Sequence, residues 1–389
     1  MNASIPAIAP KGTNGAPSGV IDTYPSTDPD CWWSASQCTT PKASGVKPDI
    51  AAMPEPRTLG YGFDDGPNCS HNAFYDYLNS KQQKATMFYI GSSVMIWPLQ
   101  AQRAVADGHE ICVHTWSHRS MTAFTNEQAF GELWYTMQAI KLVTGYTPTC
   151  WRPPLGDVDD RIRYIAQQLG LDTVLWKYDV FDWEANDPSV TPPVTPQDVQ
   201  ANYDKVIAAA TSGTFNTTGA IMLAHELNNY TMQTAIDNYP KLAAAFDHLV
   251  PVGVGYNKTQ PYVETNYSQP TFQACEFLAL NLFSSIPVTF GPLHRPPLIV
   301  LLRRFPSYRR PKLTIPIFAD VAARGGSVAG PPPSSSGAGA KPSGTSGSNT
   351  KSSGSGSGAQ TTGSGAGVTL RVSGLTLVLA FIGALALVL

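Results

Sequence analysis

The chain has 389 residues, enough for one large catalytic domain or two modest ones. Hydrophobic residues make up 42% and aromatics 10%, which excludes a wholly disordered or collagen-like chain, and a net charge of −2 excludes the basic surplus of a nucleic-acid binder. That near-neutral total hides an uneven distribution: 16 basic and 27 acidic residues lie up to Glu276, whereas 10 basic residues and one acidic residue, Asp320, lie beyond it.

Residues 1–47 read as an N-terminal extension carrying Cys31 and Cys38. Met1 to Val20 has neither a charged n-region nor an apolar h-region, so for an exported chain the leader is expected upstream. Residues 48–265 read as the catalytic domain. In it, short apolar runs at Thr58 to Phe63, Ala85 to Ile90, Glu110 to His114, Thr173 to Trp176 and Ala220 to Ala224 predict buried strands. Helical spacing predicts helices over Ala73 to Ser80, Leu99 to Asp107, Glu127 to Thr144, Asp159 to Leu169, Pro196 to Thr211 and Met232 to Leu249. Strand alternating with helix defines an α/β fold, a parallel sheet or barrel covered by helices, whose sites gather at the C-terminal strand ends.

Residues 266–330 form an atypical Pro-rich basic segment. Leu282 to Arg324 has no trustworthy periodicity, and it reads either as a basic appendage or as translated intron; no function is assigned to it. Residues 331–367 are almost entirely Ser, Gly, Thr, Ala and Pro, the composition of a solvated stalk. Residues 368–389 end in the uncharged run Val372 to Leu389. Small residues, a polar spacer and an apolar tail form a glycosylphosphatidylinositol (GPI) signal pattern, with a tail-anchored helix as the alternative. An extracellular protein held to the plasma membrane by that lipid, or facing the cell wall, is therefore expected.

Six N-x-Ser/Thr triplets, at Asn2, Asn68, Asn216, Asn229, Asn257 and Asn266, agree with that compartment. So does the even number of six cysteines. Cys31 with Cys38 is the readiest bridge, Cys112 and Cys150 could face each other across neighbouring strands, and Cys69 is left with Cys275. No protein partner can be inferred.

The chemistry-bearing residues follow predicted strands. Asp64-Asp65-Gly66-Pro67 puts two carboxylates at one strand end, which is costly without a cation or an arginine to offset them. His114 and His118, four apart, can converge on one ion, and with Asp65 they give three ligands of a catalytic metal site. Trp151-Arg152-Pro153-Pro154-Leu155-Gly156 places an arginine in a stiff turn. Asp179-Val-Phe-Asp182-Trp183 offers carboxylates beside an aromatic, and Leu223-Ala-His225 ends an apolar strand.

In this order the five motifs resemble those of the polysaccharide deacetylase family, carbohydrate esterase family 4, and within it the fungal chitin deacetylases. The resemblance covers roughly residues 48–265 and implies a distorted (β/α) barrel. It implies Asp64 as general base held by Arg152, and one divalent metal, zinc or cobalt, on Asp65, His114 and His118. It further implies His225 as general acid oriented by Asp182, with Trp183, Leu223 and Leu155 lining the substrate pocket. Gly62 and Leu155 depart from the family's usual threonine and tyrosine. The implied substrate is chitin or its oligomers, giving chitosan and acetate. Another acetylated glycan, or a catalytically silent chitin-binding wall glycoprotein, is the alternative.

Overall fold

The computed structural model describes residues 4–275 apart from 186, 188 and 189. The bulk of the basic segment, the stalk, the apolar tail and Asn2 lie outside the described residues. The first elements are β1 (Gly12–Thr13), β2 (Ala16–Pro17), α1 (Trp33–Ser36), β3 (Thr58–Gly60), β4 (Gly62–Gly66), α2 (Asn72–Ser80) and β5 (Thr86–Tyr89). They are followed by α3 (Gly91–Ile96), α4 (Pro98–Ala106), β6 (Glu110–Val113), α5 (Asn126–Thr144), β7 (Cys150–Trp151), α6 (Asp160–Gln168), β8 (Asp172–Thr173) and β9 (Tyr178–Asp179). The last are α7 (Pro196–Thr211), β10 (Ala220–Leu223), α8 (Asn229–Ala245), β11 (His248–Val250) and α9 (Val252–Gly255).

β5, β6 and β10 are buried at every position, as strands covered on both faces must be. One sheet runs β4-β5-β6-β7-β8 and another runs β11-β3-β10-β9, with every pairing in both parallel. β3 and β4 are two halves of one strand broken at Tyr61, so the two sheets are continuous through it. The isolated bridge Asp64↔His225 carries β10 up alongside β4. The result is the distorted barrel that the resemblance implies, with its C-terminal strand ends at one mouth.

The helices start where the sequence satisfies their free N–H groups. Thr125 Oγ1 accepts from Gln128 N while Gln128 Oε1 accepts from Thr125 N, a reciprocal cap on α5, which ends at Gly145 with φ 85°. Thr195 and Asp198 do the same for α7 behind Pro196. The expected helix Met232 to Leu249 stops at Ala245, and His248 and Leu249 lie in β11 instead, paired with Thr58 and Leu59. Sheet pairing with a buried neighbour outweighs helical periodicity there.

Residues of the N-terminal extension are docked on the barrel. Lys11 Nζ is buried between Asp30 Oδ2 at 2.7 Å and Asp159 Oδ2 at 2.6 Å. Trp32 Nε1 donates to Asp157 Oδ1 at 2.7 Å, and the Trp33 ring packs 4.8 Å from that of Trp176. The bridges Cys31–Cys38 and Cys112–Cys150 are formed, the second between adjacent strands β6 and β7. The expected Cys69–Cys275 bridge is not formed, and Cys69 is an exposed thiol. Cys69 follows the C-terminal end of β4, whereas Phe272, three residues before Cys275, packs on His248 at the N-terminal end of β11.

Candidate active site

Successive residues of a regular strand point to opposite faces, so Asp64 and Asp65 would be separated by the sheet. An irregularity in the β4–β5 register between Asp64 and Gly66, with Asp65 at φ 74°, changes that and turns both carboxylates toward the same side chains. The carboxyl oxygens Asp64 Oδ2 and Asp65 Oδ1 lie 3.6 and 3.4 Å from His114 Nε2.

Arg152 follows β7, its backbone N–H donating to Val113 O. Its guanidinium is fully buried, stacks 3.9 Å from the Phe88 ring centroid and donates from Nη1 to Asp64 Oδ1 at 2.7 Å. The Arg152 carbonyl does a second job: it lies 2.7 Å from His114 Nδ1, so that nitrogen donates and Nε2 is left as the ring's acceptor, free to ligate a cation between it and Asp65. His118 comes back toward Asp65 through a loop with Thr115 at φ 63° and His118 at φ 51°. α5 holds that loop, since Glu132 Oε2 accepts from Trp116 N at 2.9 Å and Ser117 N at 2.8 Å.

Asp65, His114 and His118 thus offer ligand atoms within 4.8 Å of one another. Asp65 Oδ1, 3.2 Å from His118 Nε2, is a buried acceptor with no hydrogen-bond donor among the described residues. Burial pushes the Asp65 carboxyl up, but the neighbouring imidazoles outweigh it and hold it well below the ordinary carboxylate range. An ionised buried oxygen without a donor, facing two imidazole nitrogens, is a donor set that fits a divalent cation of the zinc or cobalt kind.

Across the mouth, His225 Nδ1 lies 2.6 Å from Asp182 Oδ1, and Asp182 Oδ2 accepts from the His225 backbone N–H at 3.0 Å. Burial pulls the imidazole down, but the Asp182 carboxylate outweighs it and the ring is pushed up to about 10. Burial pushes Asp179 up to about 7, and its Oδ1 accepts from Phe181 N at 2.7 Å. Trp183 is half-buried in the short 3-10 turn Asp182–Glu184, and Leu223 is buried at the end of β10. Leu155 stands exposed with φ 59° in the turn after β7. The Asp64–Arg152 pair, the Asp65, His114 and His118 trio and the His225–Asp182 pair are brought together from separate strands.

Glu226, His71, Tyr75 and Tyr89 form a buried cluster that no motif in the sequence marks. Glu226 is fully buried beside His225, and its carboxylate lies 2.9 Å from His71 Nδ1 and 3.2 Å from the Tyr75 hydroxyl. Tyr75 and Tyr89 share a 2.6 Å hydrogen bond. The available signal was a glutamate directly after a strand-ending histidine, where the apolar run would otherwise continue.

An α/β barrel with an Asp-His-His cluster between a buried Asp–Arg pair and a buried His–Asp pair defines the class. Residues 52–174 match the family model described as polysaccharide deacetylase, and that stretch carries the family's domain. The chain is 53% identical over 287 residues to chitin deacetylase 2 of Cryptococcus neoformans var. grubii, covering 73% of this chain and 62% of that one. It is 52% identical over 250 residues to the chitin deacetylase of Amylomyces rouxii, covering 64% of this chain and 58% of that one. The chain therefore spans about three fifths of the length of these relatives. The solved structure of the chitin deacetylase from Colletotrichum lindemuthianum superposes with TM-score 0.46 at 22% identity, over 53% of this chain and 90% of that one.

Proposed function

We propose that the protein is a metal-dependent hydrolase that removes N-acetyl groups from chitin, giving chitosan and acetate. The observation that carries this reading is the convergence of Asp64 with Arg152, of Asp65 with His114 and His118, and of His225 with Asp182 at one barrel mouth. The similarity to two fungal chitin deacetylases at 52–53% identity supports chitin over other acetylated glycans.

Asp65, His114 and His118 would hold the metal, zinc or cobalt, which when bound supplies Lewis acidity toward the amide carbonyl and the attacking water. Asp64 takes the water's proton, with the Arg152 guanidinium fixing its carboxylate in a buried ion pair. Arg152 thereby also ties the base to the ligand set, because its carbonyl sets the His114 tautomer. His225, kept protonated by Asp182, donates a proton to the departing amine; without it the amine leaves poorly. Trp183, Leu223 and Leu155 would line the acetyl and sugar subsites, and the Leu155 backbone N–H would serve the developing oxyanion.

Two formed disulfides suit an oxidising compartment, and the sequence of residues 331–389 suits a stalk and GPI signal, so the enzyme is proposed to act outside the plasma membrane at the fungal wall. Release from cells by a phosphatidylinositol-specific phospholipase tests the anchor. Acetate release from chitin oligomers by the full chain, abolished by chelation and restored by zinc or cobalt, tests the chemistry. A metal-loaded chain that binds chitin and releases no acetate overturns it in favour of a silent wall protein.

A further inference from the structure

Glu226 grips the Asp64–Asn68 turn at its start, middle and end. Its backbone N–H donates to Asp64 O at 3.0 Å, and its carbonyl accepts from the Asn68 side-chain amide. Its carboxylate packs so closely under Gly66 that any Cβ there would collide with it. The carboxylate is itself held, with Oε2 2.9 Å from His71 Nδ1 and Oε1 3.2 Å from the Tyr75 hydroxyl. Tyr75 is fixed in turn by Tyr89 at 2.6 Å and by the His71 ring stacked 4.0 Å away. Tyr89 is the register partner of Gly66 on the neighbouring strand, so the network closes on the turn it supports.

A buried carboxylate is costly unless it is hydrogen-bonded, and here two side-chain donors meet it. The cost would be idle if the turn needed only packing, since an apolar side chain of the same volume would fill the space. Glu226 is covalently joined to His225 and wedged under the residue next to Asp65. Its position therefore sets the distance between the proposed acid just past β10 and the proposed base and ligand on β4.

Resting on the deacetylase reading above, we propose that Glu226 and His71 form a buried positioning pair that holds the Asp64–Asp65 turn in register with His225, and so sets metal affinity and turnover without touching substrate. His71 stands at the N-terminal boundary of α2, so the pair also fastens that helix to the catalytic turn. A donor at the His71 Nδ1 position is what the pair requires.

The test compares His71→Phe, which keeps a ring to stack on Tyr75 but loses the donor, with His71→Asn, whose side-chain amide puts a donor near the Nδ1 position. Full-length chains are assayed for zinc affinity of the apo form by calorimetry, and for kcat and KM on chitin oligomers. His71→Phe is expected to weaken zinc binding and lower kcat by about 10- to 100-fold, the usual cost of losing an outer partner of a metal site, with KM held within about twofold. His71→Asn is expected to recover most of both. Folded His71→Phe with parental zinc affinity and kcat, or His71→Asn no better than His71→Phe, overturns the assignment. Should His71→Phe fail to fold, Glu226→Met, which keeps the volume and removes both acceptors, decides by the same two readouts. A parent chain that binds zinc yet releases no acetate sinks the deacetylase reading, and the zinc arm alone then decides the pair.

Discussion

His225 and Asp182 meet twice: the aspartate takes the imidazole Nδ1–H through one oxygen at 2.6 Å and the His225 backbone N–H through the other at 3.0 Å. The two contacts fix the ring orientation, leaving the Nε2–H for the proton delivery proposed above. A general acid works only while protonated, so activity falls as pH rises through its pKa, which Asp182 pushes up to about 10. Asp182→Asn removes the stabilising charge and lowers that pKa. The alkaline limb of kcat/KM is expected to move down by about 1 to 3 pH units. An unmoved limb would show that another group is the acid.

Metal binding distinguishes the proposed ligands from the proposed acid and base. Apo protein titrated with zinc is expected to bind one ion per chain, and Asp65→Asn and His118→Ala are each expected to abolish stoichiometric binding. Asp64→Asn and His225→Ala should retain it. Full zinc content in His118→Ala would remove the basis of the site.

The same two retained-metal variants test the chemistry. Losing a positioned acid or base costs about 10² to 10⁴ in rate, so Asp64→Asn and His225→Ala are each expected to depress acetate release by that order. Parental rates in both variants, folded and metal-loaded, would refute the assigned roles.

The N-terminal extension is expected to be needed for stability. Lys11 is buried between Asp30 and Asp159, and Asp159 Oδ1 simultaneously caps α6 by accepting from Ile162 N. Lys11→Met leaves two carboxylates without their cation, and breaking a buried pair in this way costs about 3–5 kcal/mol. Urea denaturation should show a lowered midpoint, and a chain without residues 1–47 should be less stable still.

Acid sensitivity should have a contribution from Glu264. Burial pushes its carboxyl up, but the Lys141 ammonium at 2.8 Å and the Thr147 N–H and hydroxyl at 2.6 and 2.9 Å outweigh it and hold it down to about 2. A folded-state pKa below the unfolded value contributes stability that is present above the ordinary glutamate range and is lost as pH falls toward 2. The stability difference between the parent and Glu264→Gln should therefore be largest near neutrality and shrink through that window. A difference independent of pH would show that the carboxylate charge is not what Lys141 and Thr147 hold.

The sequence by itself marked β3–β4, β5, β6 and β10 and the chemistry-bearing residues beside them, whereas the strand expected over Thr173 to Trp176 is β8 at Asp172–Thr173, and β9 and β11 were not marked. The apolar tetrads around Phe63, Phe88, Val113 and Leu223 are local signals, and so are the caps at Thr125 and Thr195, because a strand or a helix start is chosen by neighbours a few residues away. The motif residues Asp64, His114, Arg152, Asp182 and His225 were legible for the same reason, each following its strand or turn. Tertiary structure alone decided who meets whom. Arg152 reaches Asp64 across 88 residues because β7 and β4 belong to one sheet in a particular order and register. Asp65 shares a site with Asp64 because its left-handed backbone breaks the strand's alternation, which no residue type at that position announces. The last turn of the expected helix through Leu249 became β11, and Cys69 stayed unbridged, because sheet pairing and barrel ends place those residues. Glu226 was invisible in sequence for the deepest version of that reason: a buried carboxylate has meaning only through its partners, and His71 and Tyr75 lie more than 150 residues away along the chain.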